Sequence, residues 1–388
     1  MFSKTGIPDP VWLVAAGVLL GPIFHVVPPD LLMPAIPYFG AIALTVILTG
    51  GAYRLQLHEV ANAAPRGLLL GLVGFAFAML GIGAFFFFGI RLGVLTESPP
   101  LYWLLVGGIV GGTSALVVMP TVAGGKIDSR TARTLEVESS ATDALCVVVA
   151  MAMLDLMVSG VQEVSQPFIT LARQIGVGIG AGVAWSILLV PFYPVLRGRL
   201  HSYTLLIATM FLLYALTSAA KGNGAMAVLV AALLLGNAAT LVPRIIPGAH
   251  PSAFTHTEEG VTMQQQLTFL IKSFFFVLIG LNFPTDARSI LLGVAAAFTL
   301  LLFRIPAVLI AARGAGFTPK QVTLLVVSLP RGLAAGVLST LPLQFSIPGT
   351  EALAGAVFSM IVTTILLFAL GFGIASRMSE SVSEAERA

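Results

Sequence analysis

The chain has 388 residues, 57% of them hydrophobic and 10% charged, with a mean hydropathy of +0.99, a balance that excludes an ordinary soluble domain and marks an integral membrane protein. A net charge of +3 carries no nucleic-acid footprint in such a chain, and the single cysteine, Cys146, permits no internal disulfide. Hydrophobic runs of about 20 residues predict helices rather than barrel strands, and 40 Gly suit helices that approach closely in lipid.

In chain order, windows broken at proline, glycine and charge predict an all-α membrane protein with about 12 transmembrane helices: 11–28, 31–50, 67–90, 101–122, 132–158, 168–195, 202–220, 222–241, 261–283, 289–312, 320–344 and 351–375. The first follows a lone Lys4 and lacks a small-residue cleavage site, so it reads as a retained helix. An even count puts both termini on one side. Thirteen of the 20 Lys and Arg fall in the termini and even-numbered loops, against Arg91, Lys221 and Arg288 in the opposite loops. The excess predicts cytoplasmic termini. After the twelfth span, SRMSESVSEAERA is expected to form a short polar tail, with no soluble regulatory domain.

Two spans read as broken. The fourth contains GGIVGGTSALVVMP, with Thr113, Ser114 and Pro120; the eleventh contains SLPRGLAAGVLSTLP, with Pro330, Arg331, Gly332 and Pro342. Proline removes a backbone donor and glycine weakens helix persistence, so both spans can unwind near the bilayer middle. Interrupted segments in corresponding positions of two halves point to inverted repeats around a midplane site. The plainer alternative is that Gly and Pro are common in membrane helices.

The fifth span carries ESSATDA between apolar flanks. Ser139 and Asp143, four apart, share a helix face, while Glu138 and Thr142 form a second stripe roughly 100° away. A buried charge demands a partner, and the candidate for Glu138 is Arg304, in LLLFRIPAVLI of the tenth span. Asp143 is then left without a fixed countercharge, facing Ser139, the Thr113 hydroxyl and carbonyls freed by the unwound fourth span. Such a carboxylate holds either a proton or a small cation, and hydroxyl, carbonyl and carboxylate oxygens are what a hard monovalent ion prefers. Competition at one residue would couple the two. Against this, Asp143 could merely support a helix break, and Glu138 could lie at the membrane surface.

The other ionisable groups carry plainer readings. Asp155 fits a solvated cap at the outer end of the fifth span, and Lys272 fits a snorkelling side chain of the ninth. His250 and His256, with Glu258 and Glu259, sit in a predicted loop as surface residues, although imidazole could sense pH. Their spacing matches no zinc pattern.

The residues also resemble those of the monovalent cation/proton antiporter superfamily, closer to its sodium/proton (NhaP-like) branch than to its Kef branch, over nearly the whole chain. AAGVLLGP, ESSATDA, GNGAMAVLVAALLLGN, FFFVLIGLNF, FRIPAVLI and LPRGLAAGVL each resemble that family's segments in the same order. The resemblance implies an NhaA-like antiporter fold with inverted repeats, in which discontinuous helices 4 and 11 cross. It implies a homodimer in the inner membrane, with core helices at about 67–158 and 289–375 moving like an elevator against dimerisation helices at about 11–50 and 202–283. Substrates would be a monovalent cation, sodium first with lithium or potassium as alternatives, and the proton; membrane lipid surrounds the chain, and no cofactor, enzyme activity or nucleic-acid partner is implied. By the same resemblance Asp143 matches the ion-binding aspartate and Ser139 a ligand-shell serine. Glu138 and Arg304 match the structural ion pair, and Arg331 the arginine of an Arg-Gly turn, facing the cytoplasm near the crossover.

This chain departs from the pattern twice. Thr142 stands where the branch usually has Asn, and its hydroxyl can still bond Glu138. Ser114 follows Thr113 where Asp is usual, which removes a carboxylate from the crossover. Electrogenic relatives carry two adjacent carboxylates; with a neutral threonine before Asp143, one-for-one electroneutral exchange is expected. The alternative function is a sodium-coupled solute symporter of the same fold, for which Asn223, Asn237 and Gln264 are the few candidate solute ligands. An intramembrane aspartyl protease using Asp143 and Asp155 is excluded by spacing, because 12 residues of helix separate them by about 18 Å.

Overall fold

The computed structural model describes residues 9–27, 39 and scattered positions of 42–50, 65–95, 97–114, 117–118, 128–158, 165–192, 202–245, 258–345, 347, 350 and 352–385, and among them every regular element is helical. Helix α1 (Asp9–Val18) continues through a wider turn at Leu19–Ile23 that absorbs Pro22, whose missing N–H an α-helical turn would register as a lost bond. Helices α2 (Pro65–Arg91) and α3 (Pro100–Val110) both open on proline, which costs nothing where the first N–H groups lack partners anyway. Helix α4 (Ser129–Val158) starts where Asp128 accepts the N–H groups of Arg130 at 3.1 Å and Thr131 at 3.0 Å. Partial burial pushes the Asp128 carboxyl up, but hydrogen bonds from Thr131, Gln321 and Arg130 outweigh it and hold it below the usual carboxylate value. The cap is therefore intact at neutral pH and is lost only in acid.

The remaining helices are α5 (Ser165–Leu189), α6 (Ser202–Ala219), α7 (Gly224–Gly236), α8 (Ala238–Ile245), α9 (Glu258–Leu281), α10 (Ala287–Ala312), α11 (Pro319–Val327), α12 (Leu333–Gln344) and α13 (Leu353–Ala385). Six helices, α2, α4, α5, α9, α10 and α13, are long and apolar enough to cross a membrane, and a seventh span results if α7 and α8 count as one. Four shorter helices, α1, α3, α6 and α12, are also apolar. Most of the second predicted span and the later part of the fourth, with Pro120, lie outside the described residues, as do His250 and His256 and the side chains of Asp155, Glu258 and Glu259.

Two features were not anticipated from the sequence. The eighth span is not straight: α7 and α8 meet at 73°, because Asn237 ends α7 with its backbone N–H on Leu233 and Leu234 carbonyls and its side-chain amide on Leu233 O at 2.8 Å. Residues 376–385, the described part of the expected polar tail, are helical. Helix α13 runs on to Ala385, as its Glu, Ala and Arg content favours.

The chain divides into two compact units, one comprising Met1–Pro37, Ala64–Met153 and Ser273–Ala388, the other Tyr38–Ala63 and Leu154–Lys272. In the first, α10 packs on α2, α11 and α13; α2 packs on α3; and α12 packs on α3 and α13. Helix α1 meets the end of α9 where Gly17 and Gly280 face each other, so close that a methyl on either would strike the other helix's backbone at Val277 O or Val14 O. Small residues permit this contact where no water presses helices together. In the second unit, α5 and α6 pack on α7.

Candidate functional site

Every residue of the predicted ion site falls in the first unit, where α4 is flanked by two helix ends. Glu138, Ser139 and Thr142 are each 1% exposed, whereas Asp143 is half-buried. Arg304, on α10, grips Glu138 with both terminal nitrogens, Nη1 at 2.7 Å from Oε1 and Nη2 at 3.0 Å from Oε2. Its Nε donates to the carbonyls of Leu325 at 2.9 Å and Val326 at 3.1 Å, the last of α11. A buried cation thus neutralises one carboxylate and satisfies the negative end of a helix, both of which a low-dielectric interior requires. Glu138 does not lie at a surface.

The second helix end belongs to α3. After Val110 the chain leaves the helix and runs irregularly through Ser114. Arg331 Nη1 receives the freed carbonyls, lying 2.5 Å from Gly112 O and 3.2 Å from Gly111 O. Arg331 sits in the irregular stretch 328–332 between α11 and α12, and two further bonds fix that stretch. The Arg331 N–H donates to Thr364 Oγ1 of α13 at 3.0 Å, and Ser114 N–H donates to Pro330 O at 2.9 Å. Arg331 is 2% exposed, and unwinding on both sides of it gives it buried acceptors. Ser114 carries no charge and packs its hydroxyl against Gly332.

Thr113 joins α3 to α4. Its N–H donates to Thr142 Oγ1 at 3.2 Å, and its hydroxyl lies 3.2 Å from Ser139 Oγ. Thr142 Oγ1 in turn donates to Ser139 O at 3.2 Å. The Thr142 hydroxyl thus bonds within its own turn rather than to Glu138, because a β-branched hydroxyl readily reaches the carbonyl three residues back. Asp143 makes no hydrogen bond or ion pair with any other described residue. Cys146, one turn on and 1% exposed, packs its sulfur against Gly112.

Thr364 and the carbonyls at the end of α11 are participants that residue type alone does not flag. Lys272 is 6% exposed, buried rather than snorkelling. Asn223 Oδ1 accepts from Met226 N at 2.9 Å, capping α7; with Asn237 ending the same helix and Gln264 2% exposed, two of the three candidate solute ligands are committed to helix ends.

A model of the family described as sodium/hydrogen exchanger, transmembrane, matches residues 1–376. A K(+)/H(+) antiporter NhaP2 from Shewanella baltica (strain OS223) is 27% identical over 392 aligned positions, which cover 98% of this chain and 64% of the relative. The chain thus spans a little under two thirds of that relative's length. A Na(+)/H(+) antiporter 1 from Methanocaldococcus jannaschii is 30% identical over 247 positions, covering 61% of this chain and 56% of the relative. The structure of the sodium proton antiporter MjNhaP1 from the same organism at pH 8 superposes with a TM-score of 0.76 at 23% identity, over 96% of this chain and 94% of that one, a likeness of fold. With its family segments in order along nearly the full length, this chain belongs to the transmembrane sodium/hydrogen exchanger family.

Proposed function

We propose that the chain is a secondary antiporter exchanging a monovalent cation for a proton at Asp143, with Ser139, Thr113 and Thr142 forming the rest of the binding turn. Sodium is the leading ion, with lithium and potassium as alternatives. One observation carries the reading: of two carboxylates on one helix, Glu138 is neutralised by Arg304, while Asp143 stands half-buried, one turn beyond Ser139, with no hydrogen bond or ion pair to a described residue. An uncompensated charge is expensive in this setting. Asp143 is therefore occupied by a proton or a cation, one at a time, and exchange follows if the site faces the two sides alternately.

The wider arrangement belongs to the same proposal: about 12 spans in inverted repeats, with the α3 end and the α11–α12 break forming the crossover. Core helices move as an elevator within an inner-membrane homodimer whose termini are cytoplasmic. The names of the relatives, K(+)/H(+) and Na(+)/H(+) antiporters, support the substrate class. No observation favours the solute symporter.

The test is an everted-vesicle assay with an acid interior. Adding sodium, lithium or potassium chloride should dissipate the pH gradient, and Asp143→Asn should abolish the response while the protein remains in the membrane. A response that survives the substitution removes Asp143 from the mechanism.

A further inference from the structure

Helix breaks usually offer cations their freed carbonyls, since the last turn of a helix has acceptors without intrahelical donors. Just past the end of α3, two such acceptors are already taken. Arg331 Nη1 lies within hydrogen-bond distance of both Gly111 O and Gly112 O, and a guanidinium stays charged at any working pH, so its occupancy is permanent. The Arg331 backbone N–H is held by Thr364 Oγ1, and the segment before it is tied to Ser114 through Pro330 O. On another side the Cys146 sulfur closes over Gly112. The next backbone donor, Thr113 N–H, is committed to Thr142 Oγ1, and the Thr142 proton to Ser139 O.

We infer that the cation is held mainly by the side-chain oxygens of Asp143, Ser139 and Thr113 and by water, with the Gly111 and Gly112 carbonyls withdrawn by Arg331, so that sodium and potassium are carried with little discrimination. The inference rests on the antiport reading and deepens it by naming the substrate range. Strong selection between these ions needs a fixed number of oxygens at fixed field strength or spacing. Three side chains on rotatable bonds, one of them the half-buried Asp143, do not impose that. Water completes the shell around an ion of either size.

The experiment uses the wild-type chain in proteoliposomes with a pH-sensitive dye, titrated with lithium, sodium, potassium and rubidium chloride at one pH. Half-saturating sodium and potassium should agree within about tenfold; a wider gap overturns the inference. Arg331→Lys supplies a second reading, because an ammonium is a point charge that cannot fork onto two carbonyls and returns one of them to the cation. The sodium-to-potassium ratio should then move several-fold, and an unchanged ratio with active protein counts against the inference. If Arg331→Lys does not fold, the wild-type ratio still decides. Silence with all four salts would instead bring down antiport itself.

Discussion

Glu138 and Asp143 lie five residues apart on one helix and meet opposite fates, and the difference is one guanidinium. Removing the negative charge with Glu138→Gln leaves Arg304 buried without a counterion, a loss of about 3–5 kcal/mol for a buried pair. Thermal unfolding in detergent should show a clearly lowered midpoint, and a midpoint equal to wild type would mean that the helix-end carbonyls of α11 alone satisfy Arg304. The partnership of Glu138 with Arg304 could be inferred from sequence because an apolar span cannot carry a charge unaided. The target of Arg331 could not. Its acceptors are backbone carbonyls, present at every position, and only the simultaneous unwinding near Gly112 and Pro330 makes them available. Lys272 shows the converse limit: position along a helix suggested an outward reach, whereas neighbours in three dimensions bury it.

Helix type and order were readable from hydropathy, and the break between α11 and α12 announced itself through Pro330 and Gly332. The bend at Asn237 was announced just as plainly by Gly236-Asn237, yet continuous apolar flanks hide such a signal from a window average. Close helix crossings are harder still, since a glycine that permits contact looks like any other. Gly280→Ala places a methyl into the backbone of α1 and should cost about 1–3 kcal/mol in unfolding measurements, the usual penalty for overpacking. Gly83→Ala on α2, where a methyl meets nothing within 4 Å, should leave stability unchanged or slightly raised through helix propensity. Equal effects from the two would show that the α1–α9 contact yields easily.

For the molecule as a whole, the chemistry fits one acid serving two ligands. On the proposed mechanism, with Glu138 tied to Arg304 and a neutral Thr142 preceding Asp143, each turnover would move one charge in each direction. A voltage clamped across proteoliposomes should leave the exchange rate unaltered; a steady current that scales with voltage would show that a second titrating group takes part. The chain's membership in its family was legible from segments spread over its whole length. The number of crossings was less so, since α1, α3, α6 and α12 are each short.

Helix α13 is a single shaft from Leu353 to Ala385, and Thr364 grips the Arg331 backbone partway along it. At 1.5 Å per residue its far tip stands about 30 Å from that grip. Any body that seizes the tip holds a lever whose short arm ends at the Arg331 backbone.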